Sequence, residues 1–222
     1  MKRLFLLRHA KAVPAESGIE DFDRTLMLSG MQDAGAMARY LRKSDYRLNL
    51  ILCSASARTT QTAELVLHEI ECEIEYRDNL YLAEQPKLLA AVRAAPASVS
   101  ALMIVGHNPG MEACAALLAR EPVRRKERAR HEALEEKFPT CALAVLDFDV
   151  RDGQIKDWRY HLLPVFANLL PADPAMQKVI DAQRALCGQT LGRIGHQRRS
   201  LVPAGQFQWQ LRSTHRRCTD GG

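Results

Sequence analysis

Short runs of apolar residues recur along the chain, and polar residues bound each of them. Three of the runs are apolar at every position, which predicts strands that are buried on both faces of a sheet. These runs are residues 4–7, 50–53 and 101–105. Residues 71–77 instead alternate between apolar and polar side chains, which predicts a strand with one exposed face.

Between these strands, apolar residues recur at the three- and four-residue spacing of amphipathic helices. The predicted helices cover approximately residues 28–43, 57–70, 86–94 and 110–119. Two further alternating runs, 141–150 and 154–161, flank an Asp152–Gly153 pair and predict a β-hairpin. This order of elements predicts an α/β fold, a three-layer sandwich whose mostly parallel sheet has an antiparallel edge hairpin.

The positive charge of the chain is concentrated near its C-terminus. The 222 residues carry a formal net charge of +5, and the pI is about 9.0. Residues 1–172 contain 23 basic and 23 acidic side chains, whereas residues 173–222 contain 8 and 3. We therefore predict a neutral domain over 1–172 and a basic, partly disordered C-terminal extension over 173–222. Residues 120–137 mix seven basic with five acidic side chains, which predicts a solvated helical insertion.

The sequence disfavours several classes of protein. The longest apolar runs are too short to span a bilayer, and the N-terminus lacks the layout of a signal peptide, so we expect no membrane partner. The six cysteines are scattered without a C-x-x-C pair, which favours a reducing compartment and predicts a cytoplasmic protein. The basic extension contains only Phe207 and Trp209 as aromatic residues, a weak stacking platform, so nucleic-acid binding is disfavoured.

Polar side chains that suit anion binding follow the three buried strands. Arg8 and His9 follow the first, Ser54 and Arg58 follow the second, and His107 follows the third. Because the carboxyl ends of parallel strands meet at one edge of a sheet, we expect these side chains to converge there. Two guanidiniums with two imidazoles suit a phosphoryl group, because each guanidinium can give paired hydrogen bonds to its oxygens.

His9 is the candidate nucleophile of this set. An attacking imidazole nitrogen must be neutral, so the other ring nitrogen of His9 is expected to donate to a backbone carbonyl. The predicted helix N-termini after Ser54 and after Asn108 would add backbone N–H groups. Each residue alone also has a structural interpretation: Arg58 fits a solvated first turn of a helix, and His107 fits a cap. Their recurrence at three strand ends favours a functional site.

The residues around these positions form blocks with a familiar order. The blocks begin with Arg8–His9–Ala10–Lys11, continue with Asp21–Phe22–Asp23–Arg24 and Gly30, then Ser54 with Arg58–Thr59, then Gly106–His107–Asn108–Pro109, and end with Pro139–Thr140–Cys141. Over about residues 2–165 the chain resembles the histidine phosphatase superfamily, the phosphoglycerate-mutase-like proteins. Arg-His-Ala in place of the usual Arg-His-Gly is typical of its short SixA-type phosphohistidine phosphatases.

The resemblance implies a phosphoglycerate-mutase-like fold and catalysis without a metal or a cofactor. It implies that His9 becomes phosphorylated and that water then hydrolyses the phosphohistidine. It also implies that Arg8, Arg58 and His107 hold the phosphoryl oxygens, and Asn108 is added to the predicted substrate-binding residues. The chain departs from the family pattern at Met27, where a Ser or Thr often caps the next helix; that loss costs about 1 kcal/mol.

The proton donor is marked less clearly than the other site residues. Larger members of the superfamily use an acidic residue at about the position of Glu84. Glu84 fits equally well as an exposed residue next to the start of the helix at Pro86. Asp21 and Asp23 are nearby alternatives, although a pair between Asp23 and Arg24 would only tie down the loop. The nitrogen leaving group of a phosphoramidate departs readily once it is protonated, so a SixA-type enzyme needs little help from such a donor.

The favoured function is therefore a metal-independent phosphatase with a phosphohistidine intermediate that removes phosphate from phosphohistidine proteins. The loops that cover a bulky substrate in mutases are absent or short, which favours an open site and a phosphorylated protein or small phosphate ester as partner. One alternative is a small-molecule phosphomonoesterase of the same superfamily. The other alternative is binding of nucleic acid or an acidic partner through the basic extension.

Overall fold

The computed structural model describes residues 2–15, 19–44, 46–119, 132, 138–151 and 154–160. Its strands, in chain order, are β1 (Lys2–Arg8), β2 (Leu50–Ser54), β3 (Glu73–Arg77), β4 (Ala101–Gly106), β5 (Leu143–Arg151) and β6 (Gln154–Tyr160). They form a six-stranded sheet in the order β3-β2-β4-β1-β5-β6. The first four strands of this order are parallel, and β5 and β6 form an antiparallel edge. The predicted mostly parallel sheet with an antiparallel edge hairpin is confirmed.

Helices cover both faces of the sheet. They are α1 (Leu28–Lys43), α2 (Ala57–Leu67), α3 (Gln85–Ala94) and α4 (Gly110–Leu118), with two short 3-10 helices at Asp21–Asp23 and Asp78–Leu80. α1 packs against α2, and α3 packs against α4. The four predicted helices are present, but α2 ends earlier than residue 70. α2 ends at Leu67 because the N–H of Glu69 donates to the carbonyl of Val66, three residues back, in a tighter 3-10 turn.

The middle strands are apolar on both faces because each face of the sheet supports its own hydrophobic cluster. Phe5 and Leu7 belong to the cluster that includes α1 and α2, and Leu4 and Leu6 belong to the cluster that includes α3 and α4. All four side chains are buried. The uninterrupted apolar run of β1 is therefore the sequence pattern of a strand in the middle of three layers.

Backbone contacts join the start and the end of the segment between β1 and α1. Ala12 and Leu26 form an isolated antiparallel bridge. The N–H of Met27 donates to the carbonyl of Lys11 at 2.9 Å. Met27 provides no side-chain cap to α1, as its apolar side chain predicts. The two ends of the segment therefore lie side by side, and the 3-10 turn at Asp21–Asp23 lies within it.

Some predictions concern residues outside the described ranges. The charged insertion at 120–137, apart from Glu132, and the basic extension at 173–222 are among them, as is the Asp152–Gly153 turn. The domain boundary at 172 and any role of the extension in binding stay predictions. None of the helices within the described ranges is long and apolar enough to cross a membrane.

Two glycines allow backbone segments to touch. A Cβ placed on Gly110 would lie 1.9 Å from the carbonyl oxygen of Ala83, and a Cβ on Gly30 would lie 2.1 Å from the carbonyl oxygen of Lys11. Both contacts involve backbone atoms, so no change of rotamer relieves them. Gly110 therefore lets the residues before α3 lie directly against the start of α4.

We expect Gly110→Ala to lower the free energy of unfolding by about 1–3 kcal/mol, because the added methyl group must push two backbone segments apart. The measurement is chemical denaturation of the full chain. Gly106→Ala is the matched control, since its added Cβ would meet the flexible side chain of Met111, with the sulfur at 3.0 Å. Equal stability of Gly110→Ala and the unmodified chain would contradict the close approach.

Candidate active site

The pairing of β1 with β4 brings two histidines together. The strands are parallel neighbours, and Arg8 pairs with Gly106 in their register. His9 and His107 each follow one of these paired residues, and their ring centroids lie 5.2 Å apart. β2 lies on the other side of β4 and ends at Ser54. The structure thus places the side chains at one edge of the sheet, where the sequence analysis expects them.

One ring nitrogen of His9 is held by the backbone. Nδ1 lies 2.8 Å from the carbonyl oxygen of Ala10. A carbonyl oxygen can only accept, so Nδ1 carries the proton and donates it. Nε2 is left with a free lone pair, which is the state that a nucleophilic imidazole requires. This is the type of hydrogen bond that the sequence analysis expects beside a nucleophilic His9.

The two ring nitrogens of His107 have different surroundings. Nε2 lies 2.8 Å from Oγ of Ser54. Nδ1 is buried and has no hydrogen-bond partner in the part of the chain that the structure describes. The Tyr81 and His107 rings pack edge to face, with centroids 5.4 Å apart. Because buried polar atoms are normally hydrogen-bonded, the unpartnered Nδ1 is a candidate contact for a polar ligand.

Asp21 holds both terminal nitrogens of Arg58. Nη1 of Arg58 donates to the backbone carbonyl of Asp21, and Nη2 donates to its carboxylate Oδ2 at 2.8 Å. The same carboxylate accepts from the hydroxyl of Tyr81 at 2.6 Å and from Arg24 at 2.7 Å. The Arg58 guanidinium also lies 5.8 Å from the centroid of the Tyr81 ring. One carboxylate is therefore contacted by two guanidiniums and a phenol.

Arg8 and Asn108 both donate to the carbonyl oxygen of Phe138. Arg8 donates through Nη1 at 2.7 Å, and Asn108 donates through Nδ2 at 3.0 Å. The Asn108 amide nitrogen also donates to Glu112 at 2.8 Å. Its N–H groups are thus engaged within the protein, and its predicted part in substrate binding is left to Oδ1. That oxygen and Nε of Arg8 are buried without a partner among the described residues.

Known proteins are similar to this chain in both sequence and fold. The model of the histidine phosphatase superfamily (branch 1) matches residues 4–81 of the chain. The crystal structure of SixA from Agrobacterium tumefaciens is 37% identical to it and covers 72% of this chain and 98% of its own, with a TM-score of 0.60. The chain belongs to the histidine phosphatase superfamily. Within that superfamily it belongs to the SixA-type branch.

Two further proteins extend the comparison of this SixA-type protein. An uncharacterized protein of Mycobacterium tuberculosis, Rv1276c, is 34% identical over 140 residues, which are 63% of this chain and 85% of the relative. A structure of the protein histidine phosphatase SixA complexed with tungstate is 21% identical and covers 75% of this chain and 99% of its own. Its TM-score of 0.58 shows a shared fold.

Both imidazoles of this SixA-type site are held neutral. Burial lowers the pKa of His9 from 6.5 to about 4; the hydrogen bond to Ala10 opposes this, and the charges of Arg58 and Arg8 add to it. Burial, with smaller contributions from neighbouring His9 and Arg58, lowers the pKa of His107 to about 3. Loss of water around the ring has the largest effect because it penalises the charged form. The lone pair on Nε2 of His9 is therefore available at neutral pH.

The acidic residues weighed as proton donors differ in their surroundings. Hydrogen bonds, first of all from Tyr81, hold the pKa of the Asp21 carboxyl well below its usual range. Asp21 therefore stays ionised and has no proton to give. Asp23 and Glu84 are exposed, and Glu84 precedes α3 without making a side-chain cap. The role of Glu84 as donor stays a prediction.

Two residues of the site have no role in the sequence analysis. Tyr81 contacts Asp21 through its hydroxyl and packs against Phe22, with ring centroids 5.0 Å apart, and against His107. The sequence marks Tyr81 only by its position three residues before Glu84. Phe138 contributes a backbone carbonyl, which leaves no trace in the sequence because every residue has one.

We expect the ring of His9 to remain neutral between about pH 5 and pH 8 in a ¹⁵N NMR titration of histidine-labelled protein. The reason is the lowered pKa of His9, about 4 in the folded chain. The unfolded chain takes up this proton more readily, so the free energy of unfolding should fall as the pH drops from about 6.5 towards about 4.

The variant His9→Gln is the control for that effect. It lacks the titrating ring, so its free energy of unfolding should fall less steeply over the same pH range. A His9 signal that titrates near the ordinary value for imidazole would contradict the burial that the structure shows.

Proposed function

We propose that this protein is a phosphatase that forms a phosphohistidine on His9 and that its substrates are proteins carrying phosphohistidine. The strongest support is the hydrogen bond from Nδ1 of His9 to Ala10. It leaves Nε2 available on a ring whose pKa is lowered in part by the charges of Arg58 and Arg8. A neutral nucleophile beside two guanidiniums suits attack on an anionic phosphoryl group, because the cations offset the charge that would otherwise repel the attacking lone pair.

The first step transfers the phosphoryl group to His9. Arg8, Arg58 and His107 hold the phosphoryl oxygens while Nε2 attacks phosphorus in line with the bond to the leaving group. The new P–N bond forms as the substrate's P–N bond breaks, and the electron pair of the broken bond goes to the leaving imidazole nitrogen. The protein contributes mainly position and charge, as is general for phosphoryl transfer.

Water completes the reaction in the second step. The water oxygen attacks phosphorus, the electron pair of the P–N bond returns to Nε2 of His9, and inorganic phosphate leaves. The ring of His9 is positively charged while it is phosphorylated, and the Ala10 carbonyl then accepts a charge-assisted hydrogen bond from Nδ1. The contact that orients the nucleophile also stabilises the intermediate.

The acidic side chains near the site favour a P–N bond over a P–O bond as the one broken. An imidazole leaving group can be protonated before the bond breaks, whereas an alkoxide needs a proton from a positioned acid as it leaves. Asp21 is ionised, and Asp23 and Glu84 are exposed. A site with these three carboxyl groups is better matched to phosphohistidine than to an alkyl phosphate.

A small phosphate ester is the second candidate substrate, and the position of Glu84 supports it. A Cβ placed on Gly110 would lie 3.1 Å from Cα of Glu84, so the backbone of Glu84 lies against the start of α4. α4 follows His107 closely in the chain. A carboxyl group on this segment would supply the proton that an alcohol leaving group needs.

A cytoplasmic location is part of the proposal. Cys53, Cys72, Cys114 and Cys141 are free thiols in the described part of the chain. Free thiols persist in reducing compartments, and burial raises the pKa of the Cys53 and Cys141 thiols, which keeps them protonated and unreactive. These cysteines therefore suit a core rather than a disulfide framework.

We expect His9→Ala to lower turnover of a phosphohistidine peptide by about 1,000-fold or more, because the nucleophile is lost. Rapid quenching of the wild-type reaction should trap an acid-labile phosphoryl group on His9. His68→Ala replaces an exposed histidine and should behave like the wild type. No group of three or more metal-binding side chains is found among the described residues, so the assay also includes an arm with EDTA, which should not change the rate. Full activity of His9→Ala would overturn the mechanism.

We expect Glu84→Gln to lower turnover of a simple alkyl phosphate about 10- to 100-fold more than it lowers turnover of a phosphohistidine peptide. The reason is that only the alcohol depends on a proton from the enzyme as it leaves. The measurement is kcat/KM for both substrates with both proteins. A wild-type chain that prefers the alkyl phosphate would favour the second candidate instead.

A further inference from the structure

We propose that Asp21 is the positioning residue of this active site, which orients the guanidinium of Arg58 for the phosphoryl group. The proposal rests on the proposed function in one respect: Arg58 has to act on a phosphoryl group. It does not depend on which phosphorylated substrate the enzyme prefers. Asp21 is not assigned a direct contact with the substrate.

The contacts of Arg58 define the plane of its guanidinium. Nη1 donates to the Asp21 backbone carbonyl and Nη2 donates to the Asp21 carboxylate, so one residue contacts both terminal nitrogens. Arg58 is only 3% exposed, so its surroundings further limit the orientations that its side chain can adopt. A guanidinium has five N–H groups. Asp21 takes one N–H on each terminal nitrogen, so the N–H on Nε and a second one on each terminal nitrogen are not used by Asp21.

Asp21 is itself held from several directions. Its carboxylate accepts from Tyr81 and from Arg24, and Nε of Arg24 donates to the carbonyl of Val13 at 2.9 Å. Tyr81 follows β3, Arg58 lies in α2, and Arg24 belongs to the segment between β1 and α1. Arg24 and Tyr81, from two different parts of the chain, therefore hold the carboxylate at the place where it meets Arg58.

The sign of its charge shows that Asp21 acts through Arg58. A carboxylate repels a phosphoryl group, so it is the wrong group for direct binding of the substrate. A buried guanidinium without a partner is costly, however, and Asp21 offsets that cost. A negative side chain next to the candidate phosphoryl-binding residues is therefore best explained by the arginine that it holds.

We expect Asp21→Asn to lower kcat about 10- to 100-fold, because Arg58 is no longer held in the geometry of the transition state. The inhibition constant for inorganic phosphate should stay unchanged or become lower, because the substitution removes a repelling negative charge. A structural defect that only reduces the amount of folded enzyme would leave the Arg58 N–H signal of the remaining folded enzyme as it is in the wild type. The measurements are kcat, KM and phosphate inhibition with p-nitrophenyl phosphate and with a phosphohistidine peptide.

Two further variants sharpen this test. Glu20→Gln makes the same change of charge at the residue before Asp21. The side chain of Glu20 is exposed and makes no capping hydrogen bond, so this variant should keep its kcat. Tyr81→Phe keeps the ring but removes one of the hydrogen bonds to Asp21. It should lower kcat in the same direction by about two- to ten-fold.

A measurement without turnover tests the orientation of Arg58 directly. The Nε–H signal of Arg58 in an NMR spectrum of the full chain should be sharp in the wild type and broadened in Asp21→Asn. Phosphate binding to both proteins can be followed in the same samples. The Asp21 proposal is overturned if Asp21→Asn keeps its kcat or leaves the Arg58 signal unchanged.

These arms separate the two proposals. A wild-type chain that hydrolyses p-nitrophenyl phosphate through His9 but not the phosphohistidine peptide overturns the proposed substrate, while the test of Asp21 proceeds unaffected. If the wild type hydrolyses neither, the proposed function fails, and the Arg58 signal with phosphate binding still decides whether Asp21 positions Arg58.

Discussion

The parallel pairing of β1 with β4 is the constraint on which the rest of this site depends. Because Arg8 and Gly106 occupy paired positions, the residues that follow them leave the sheet at the same level, and the rings of His9 and His107 come within 5.2 Å of each other. A shift of one residue in this register would move one imidazole to the opposite face of the sheet. The two hydrophobic clusters on either face hold the register and so determine the geometry of the site.

The electrostatic balance of the site follows from its burial. Removing water favours the neutral form of both histidines, and the nearby arginines favour it further. Arginine remains charged under the same conditions and therefore needs a partner that does not block the substrate. Asp21 meets this need for Arg58 from one side, and the Phe138 carbonyl meets it for Arg8. The chain thus presents cationic groups next to an uncharged nucleophile.

The parts of the structure that depend on local pattern could be predicted from the sequence. Uninterrupted apolar runs identified the middle strands, and the polar residues after them identified Arg8, His9, Arg58 and His107. The remaining parts depend on contacts between distant segments, for which the sequence has no local signal. Asp21 was visible only as a possible acid, and its contact with Arg58 across 37 positions required the fold. Asn108 stays a predicted substrate-binding residue, and the acceptance of its N–H groups by Glu112 and by the backbone carbonyl of Phe138 likewise has no local signal in the sequence.

The hydrogen bond between His9 and Ala10 has a consequence for how this family can diverge. The acceptor belongs to the main chain, so any residue at position 10 supplies it, and Gly and Ala are interchangeable there as far as the ring is concerned. What limits position 10 is volume, because Ala10 is completely buried among core side chains. Natural variation at this position can therefore change the packing of the core without altering which nitrogen of the neighbouring histidine is reactive.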